Sequence, residues 1–469
     1  MGVNEKMSEE KKEEFLTWYK KPEPYEGVPV PKPAEPGGTK AAPWCDYAYK
    51  EWVIFEKQKI PDWWWKTEEE IKPLWSEEEQ LMMERCMLKM HENIAKQKMT
   101  PMDRWWSTAY GIERDRCFLW PGSMGLINIS SRILDSFGVV MKAADLARYP
   151  KLALMSQFLA PARFDTDAIF GNKTTYGEAE YGGKVYQKEQ AALISKTAGA
   201  QEYGFYDPVV RFRTSPFLSF KMPDPTIGGY GQQLWWIKTA KEYLRKGGLW
   251  GVMPYLTNAC LGPIGTTAYA LGPASGLREF ALLYKKRPEW IHAAMREVLK
   301  FEIEHGKLIR NAGTDIILLC DGHCQVGPSV LRDVVQYHVE LCKQAHYPPG
   351  GMMVTAGDFT DYIDIMAQAH GKYAYYFGSD FTYPIDHAVK KSREYGLGFH
   401  LAADWDLAKA GTKDVIYQYQ KARLTACGGL ETKYVELGPV DYWIPMENYD
   451  YFWDATRKYG SYPKGYEQP

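Results

Sequence analysis

The sequence predicts an α/β fold of the (β/α)8 TIM-barrel type, preceded by an N-terminal extension that is helical or irregular. From about residue 100, short apolar runs alternate with helix-patterned segments, which is typical of parallel strands joined by helices. The glycines of 229–233 follow no clear strand, so a dinucleotide-binding turn is not indicated. Successive β/α units without such a turn favour a barrel over a Rossmann-type sheet. We therefore assign residues 1–98 to the extension and residues 99–469 to the barrel.

The extension combines a proline-rich segment with one predicted helix. Residues 1–43 contain KPEPYEGVPVPKPAEPGG, whose prolines exclude a regular helix or a central strand. In the helical pattern at 76–97, Met83, Met87, Met90 and Ile94 recur at helical spacing. We expect these four residues to form a stripe that faces the core.

The elements of the predicted barrel follow from apolar runs of strand length, from helical periodicity, and from proline and glycine stops. Strands are predicted at 249–256, 314–320, 350–357, 372–377, 398–404 and 433–438. Helices are predicted at 275–313, with a break at Pro288 and a stop at Asn311-Ala312-Gly313, and at 329–346, 361–370, 386–396 and 412–427.

Composition excludes several classes of function. The chain has 469 residues, of which 45% are hydrophobic and 25% are charged, as in an ordinary globular protein. A net charge of −2 gives no electrostatic reason to expect nucleic acid or a membrane as a partner. The first residues, MGVNEKMSEEKKEEF, lack the apolar core of a signal peptide. The eight cysteines include no C-x-x-C pair, so we expect reduced thiols and a cytoplasmic location.

Chemically active side chains follow the predicted strands. In barrels of this class, function lies on the face where the strands end. The strand at 314–320 is followed by Asp321, His323 and Cys324, and Asp380 follows the strand at 372–377. We predict catalytic residues at the strand ends, Asp321, His323, Asp358 and Asp404, together with His400 within the strand at 398–404.

Two further groups of residues are predicted at the same face. Acid, imidazole and thiol groups are ligands that zinc accepts, and the predicted metal ligands are Asp321, His323, Cys324 and Glu436. Aromatic residues make up 14% of the chain, which indicates either a large core with a subunit interface or a flat-walled ligand pocket. The predicted substrate-binding residues are Tyr373, Tyr375 and Tyr376.

Three segments carry a resemblance to a known family: MTPMDRWWSTAYGIERDRCFLWPG at 99–122, RPEWIHAAMREVLKFEIEHGKLIRNAGTDIILLCDG at 287–322, and IPMENYDYFWDATRKYGSYP at 444–463. They resemble the uroporphyrinogen decarboxylase superfamily, and its cobalamin-dependent methyltransferase branch in particular. The resemblance covers roughly residues 99–463. It implies a (β/α)8 barrel that either decarboxylates a porphyrinogen without a cofactor or transfers a methyl group to or from a corrinoid on a partner protein, often with zinc.

The chain departs from both branches of this superfamily. The loop that grips the substrate carboxylates in the decarboxylases has no counterpart here. The positions that match the zinc ligands of the coenzyme M methyltransferases are Val354, Ala356 and Pro439, and none of these can bind a metal. The resemblance therefore implies a divergent methyltransferase with its own residues at the strand ends.

The sequence leaves three functions open. The first is transfer of a methyl group from a small methylated donor, such as a methoxylated aromatic compound, to a corrinoid (cobalamin) on a partner protein, with zinc as an additional cofactor. The second is a decarboxylase or lyase that acts on a carboxylated substrate. The third is a non-catalytic scaffold in which the tryptophan-rich extension makes a homo-oligomer.

Overall fold

The computed structural model describes residues 77–111, 114–121, 150–171, 228–260, 262–271, 276–320, 326–344, 351–354, 360–370, 376–379, 383–427, 432–438 and 444–461. The elements follow in chain order: α1 (Glu77–Ile94), α2 (Pro101–Tyr110), β1 (Phe118–Trp120), α3 (Pro150–Phe164), β2 (Ile169–Gly171), α4 (Gly228–Lys246), β3 (Tyr255–Cys260), α5 (Gly262–Leu271), α6 (Gly276–Lys286), α7 (Pro288–Asn311), β4 (Ile316–Cys320), α8 (Pro328–Gln344), β5 (Gly351–Val354), α9 (Ile363–His370), β6 (Tyr376–Ser379), α10 (Ile385–Tyr395), β7 (Gly398–Leu401), α11 (Trp405–Ala410), α12 (Lys413–Ala426), β8 (Lys433–Leu437) and α13 (Met446–Tyr459).

The strands in the described residues form two four-stranded parallel sheets, with the orders β1-β8-β7-β6 and β2-β3-β4-β5. The first strand pairs with the last, with Phe118 opposite Val435, as a closed barrel requires. Between the two sheets, the N–H of Asp167 donates to the carbonyl of Leu119 at 2.8 Å. The described strands make no ladder between β1 and β2 or between β5 and β6. The closed (β/α)8 barrel therefore stays a prediction.

Most predicted elements of the second half of the chain are confirmed within a few residues. The predicted break at Pro288 separates α6 from α7, and Gly313 beyond the end of α7 has a φ of 110°, a conformation that favours glycine. The predicted helix at 412–427 is α12, and the predicted strand at 433–438 is β8.

The strand predicted at 249–256 is wrong over its first residues. Residues 249–254 form a turn, and β3 begins at Tyr255. Gly248 and Gly251 both have a φ of 73°, and the N–H groups of Val252 and Met253 donate to the carbonyl of Leu249. The apolar residues of this segment are therefore used in a tight turn before the strand starts.

The helix of the N-terminal extension packs against the rest of the fold. The prediction that Met83, Met87, Met90 and Ile94 face the core is confirmed, since the three methionines are buried and the partly buried Ile94 packs against the same core. Helix α1 packs on α3, and the Asn93 amide at its end donates to the carbonyls of Pro161 and Ala162, each at 3.3 Å. No helix in the described ranges is long and apolar enough to cross a membrane.

A buried network of charges lies ahead of β1 and β2, at the amino ends of the strands. Arg104 on α2 donates to both carboxylate oxygens of Asp115, at 2.7 and 2.8 Å, and to Asp167 at 2.5 Å. Arg116 donates to the same Asp167 carboxylate at 2.5 and 2.9 Å. Because Asp167 is fully buried and each charge has a partner, this network holds α2 against the start of both sheets.

Candidate functional site

The two faces of strand β8 carry different chemistry. Tyr434 and Glu436 point toward α12, since Arg423 on that helix donates to the Tyr434 hydroxyl at 2.9 Å and lies 3.4 Å from the Glu436 carboxylate. Because side chains alternate along a strand, Val435 between them faces the other way. In register, Val435 is flanked by Phe118 of β1 and by His400 of β7. The inner face of this sheet therefore carries Phe118, Val435 and His400.

His400 and Trp120 contact each other on this inner face. Trp120 is the last residue of β1, and its ring lies at 90° to the imidazole of His400, with 5.0 Å between the ring centroids. Gly378 is the residue of β6 in register with His400, so β6 adds no side chain beside the imidazole at that level. The pair therefore lies on the inner face, where β1 ends.

The imidazole of His400 is uncharged at neutral pH. Its side chain is 1% exposed. Burial, together with the positive charge of Arg423, lowers the pKa of His400 to about 3. A neutral imidazole has one nitrogen that donates a hydrogen bond and one that accepts. His400 is therefore a hydrogen-bonding group rather than a source of a full proton.

The polar atoms of this pair have no hydrogen-bond partners within the described residues. Both ring nitrogens of His400 and the indole nitrogen of Trp120 are buried and unpaired there. Buried polar groups in folded proteins are nearly always hydrogen-bonded, and leaving one unpaired costs about 1–3 kcal/mol. Two side chains in contact whose polar atoms are unpaired make this pair the candidate site.

Glu436, predicted as a metal ligand, lies on the opposite side of β8 from His400. Its carboxylate accepts from the Tyr434 hydroxyl at 2.5 Å and from the Gln420 amide at 3.3 Å, and it pairs with Arg423. Burial raises the pKa of Glu436, and these three neighbours offset part of that rise. Glu436 therefore has a structural set of partners that does not include His400.

Asp404, predicted as catalytic, caps a helix. Its Oδ1 accepts from the N–H groups of Asp406 and Leu407, each at 3.0 Å, at the start of α11. This is the geometry of an N-terminal cap, which satisfies two backbone donors that the helix itself cannot. The cap is the role that the contacts of Asp404 support.

The comparisons with known proteins concern the fold. No family model matches this chain, and the search of curated proteins finds no match. Among solved structures, the chain is similar to a methyltransferase from Methanosarcina mazei, with 13% sequence identity and a TM-score of 0.54. The similarity covers 77% of this chain and 99% of that chain. The two chains share a fold.

The other predicted site residues lie outside the described residues: Asp321, His323, Cys324, Asp358, Tyr373 and Tyr375. Tyr376 begins β6, where its backbone is in register with Gly398. Within the described ranges, no three His, Cys, Asp or Glu side chains lie close enough together to hold a metal ion. The predicted metal site therefore depends on the residues that follow β4.

Sequence reasoning missed Trp120. The strand-end rule that selected His400 applies equally to the apolar run CFLW at 117–120, which ends in Trp120 before a Pro-Gly pair. An indole N–H at a strand end is a hydrogen-bond donor, and that property could have placed Trp120 among the candidates. Its pairing with His400 depends on the contact between the first and last strands, which no local pattern reveals.

Proposed function

We propose that this protein is a methyltransferase that takes a methyl group from a small methylated molecule and passes it to a corrinoid carried by a partner protein. The observation that carries the proposal is the Trp120–His400 pair, buried on the inner face with its hydrogen-bonding atoms unpaired. The fold shared with a methyltransferase supports it, as does the resemblance of three segments to the methyltransferase branch of the uroporphyrinogen decarboxylase superfamily.

The role of the chain in this reaction is to bind and orient the methyl donor. When the methyl group leaves, negative charge develops on the atom that held it, and that atom is a poor leaving group unless the charge is stabilised. Preorganised hydrogen-bond donors in a buried site stabilise such charge more strongly than water does. His400, uncharged and unpaired, is placed to supply one such bond.

The inner face provides an environment for the methyl donor. Phe118 and Val435 are apolar and lie on the same face as the Trp120–His400 pair. A corrinoid on a partner protein would supply a nucleophilic cobalt as the methyl acceptor. In this class of barrel function lies at the carboxyl ends of the strands, and Trp120 is the last residue of β1.

Zinc does not fit the described residues. His400 faces inward, the Glu436 carboxylate is paired with Arg423 on the far side of β8, and Asp404 caps α11. A zinc site built on Asp321, His323 and Cys324 remains a proposal, and no step of the reaction depends on it.

The test is an anaerobic assay. Pure protein is mixed with cob(I)alamin and a panel of methyl ethers, methylamines and methyl thioethers, and the visible spectrum is followed for methylcobalamin. We expect methylcobalamin with at least one donor, and a loss of roughly 100-fold or more in rate for His400→Leu, since removing one stabilising donor typically costs that much. His387→Leu, at a half-exposed position of α10, is the matched control and should keep the wild-type rate.

Two results would contradict the proposal. One is that the folded protein forms no methylcobalamin with any donor of the panel. The other is release of carbon dioxide from carboxylated substrates without cobalt, which would favour the decarboxylase alternative.

A further inference from the structure

We infer that Trp120 and His400 together form a subsite for a neutral oxygen atom, and that the methyl donor is an aryl methyl ether. This inference rests on the proposed methyltransferase function for the reaction, but the oxygen subsite itself can be tested by binding alone. It goes beyond a general methyl donor because it specifies the atom that the two side chains recognise.

The evidence is a pair of unsatisfied groups brought together from different strands. Trp120, at the end of β1, is fully buried, and its indole N–H has no partner within the described residues. His400, on β7, is 1% exposed, and both of its nitrogens are likewise unpaired there. The rings meet at 90° with 5.0 Å between their centroids, so the unpaired polar atoms belong to two side chains in direct contact.

The hydrogen-bonding chemistry of the pair selects oxygen. An indole N–H only donates, and a neutral imidazole donates through one nitrogen and accepts through the other. A ligand atom that satisfies both side chains must therefore carry lone pairs. An ether, hydroxyl or phenolate oxygen has them, whereas a quaternary or protonated amine has none and a thioether sulfur is a weak acceptor.

The surroundings of the pair also disfavour a cationic donor. Burial and the charge of Arg423 lower the pKa of His400, and the same two effects oppose any positive charge beside it. The negative charge of Glu436 does not stabilise a cation on the inner face, because its carboxylate lies on the α12 side of β8 and is paired with Arg423.

The leaving group follows from the balance of the reaction. The carbon–oxygen bond breaks with its electron pair remaining on oxygen, the acceptor supplies the pair for the new bond to carbon, and the oxygen takes a proton from water after release. Two neutral donors stabilise the developing charge but deliver no full proton. A phenolate can leave without receiving a proton because phenols ionise near a pKa of about 10, as tyrosine does. An alkoxide is far more basic, since the pKa of water itself is about 15.7.

Equilibrium binding by calorimetry, without cobalamin, tests the subsite on the full chain. The probes are phenol, methoxybenzene, cyclohexanol and trimethylanilinium. We expect phenol and methoxybenzene to bind, cyclohexanol to bind more weakly, and trimethylanilinium not to bind. Trp120→Phe keeps an aromatic ring and removes the N–H, and we expect it to weaken phenol binding about ten-fold, the effect of one buried hydrogen bond.

The controls separate this effect from misfolding. Trp453→Phe alters another buried tryptophan, on α13, and should leave phenol binding unchanged. His400→Leu provides an independent arm should Trp120→Phe fail to fold, and it should weaken phenol binding by a similar factor.

Several outcomes would overturn the oxygen subsite. They are equal binding of trimethylanilinium and methoxybenzene, unchanged phenol binding in both site variants, or no phenol binding at millimolar concentration. Methyl transfer from a methylamine but from no ether would support the methyltransferase proposal and contradict the oxygen subsite. Phenol binding that depends on Trp120, without any methyl transfer, would support the oxygen subsite and contradict the methyltransferase proposal.

Discussion

Arg423 and Glu436 form a buried ion pair on the α12 side of β8, with the guanidinium Nη2 3.4 Å from the carboxylate Oε1. Both side chains are almost fully buried, and the Tyr434 hydroxyl bonds to each of them. The pair therefore fixes α12 against the sheet. It also places a positive charge behind His400, which contributes to keeping that imidazole neutral.

Removal of the guanidinium should destabilise the protein strongly. Arg423→Met leaves the Glu436 carboxylate buried without a counter-charge, and a broken buried pair typically costs about 3–5 kcal/mol. Urea denaturation followed by circular dichroism measures the shift in midpoint. The double variant Arg423→Met/Glu436→Gln should recover part of the loss, because the orphaned charge is then gone. A double variant no more stable than Arg423→Met would mean that packing, rather than charge, accounts for the cost.

The stability of the protein should fall below pH 6.5 because of His400. Its folded-state pKa of about 3 lies below the ordinary value of 6.5, so as the pH falls the unfolded chain takes up the proton first. The fold therefore loses stability between pH 6.5 and about 3, and above that window His400 has no effect on its pH dependence. At pH 5 the expected loss is about 2 kcal/mol, from 1.36 kcal/mol for each unit of pKa difference.

The measurement for His400 is the unfolding midpoint across this window. His400→Gln should flatten the acid side of the curve relative to wild type, whereas His387→Gln should not. Identical acid profiles for wild type and His400→Gln would show that the imidazole is not held neutral.

The sequence was sufficient for the elements whose patterns are local. Proline and glycine stops placed the helix break at Pro288 and the end of α7, and the methionine spacing placed the buried face of α1. The strand at 249–256 failed because an apolar run was interpreted without regard to its glycines. Gly248 and Gly251 in the left-handed region turn the chain there, and the strand starts afterwards.

The residues of the candidate site were predictable only in part. Which face of a strand a side chain lies on depends on the elements that pack against that face, and these are distant in sequence. His400 and Glu436 both lie near strand ends, yet register and alternation put them on opposite sides of the sheet. The contacts of Glu436 with Arg423 and Gln420 identify the face of the sheet that packs on α12. The capping role of Asp404 was missed, because no helix was predicted at 405–410 and an aspartate is recognised as a cap only by the helix that follows it.

Substitutions of Asp404 should separate capping from catalysis. Asp404→Ala removes the acceptor for two backbone N–H groups of α11 and should cost about 1 kcal/mol. Asp404→Asn keeps a capping oxygen and removes the charge, so we expect both stability and methyl transfer to stay near wild type. Thermal unfolding and the cobalamin assay provide the two readouts. A normally stable Asp404→Asn protein with transfer reduced more than ten-fold would assign the carboxylate a catalytic role instead.

Helix α1 should contribute to the stability of the whole fold, although it belongs to the extension. Met90 on α1 is fully buried, and α1 packs on α3; truncating a buried methionine to alanine typically costs about 2–5 kcal/mol. Leu88, two residues earlier on the same helix, is 61% exposed, so Leu88→Ala should change stability by no more than about 0.5 kcal/mol. The urea midpoints of the two variants are compared. Both variants introduce alanine into the same helix, so the helix propensity of the new residue is the same in each. Similar midpoints for the two would mean that α1 is not integral to the core, and a chain beginning after residue 98 would then be expected to fold as stably as the full protein.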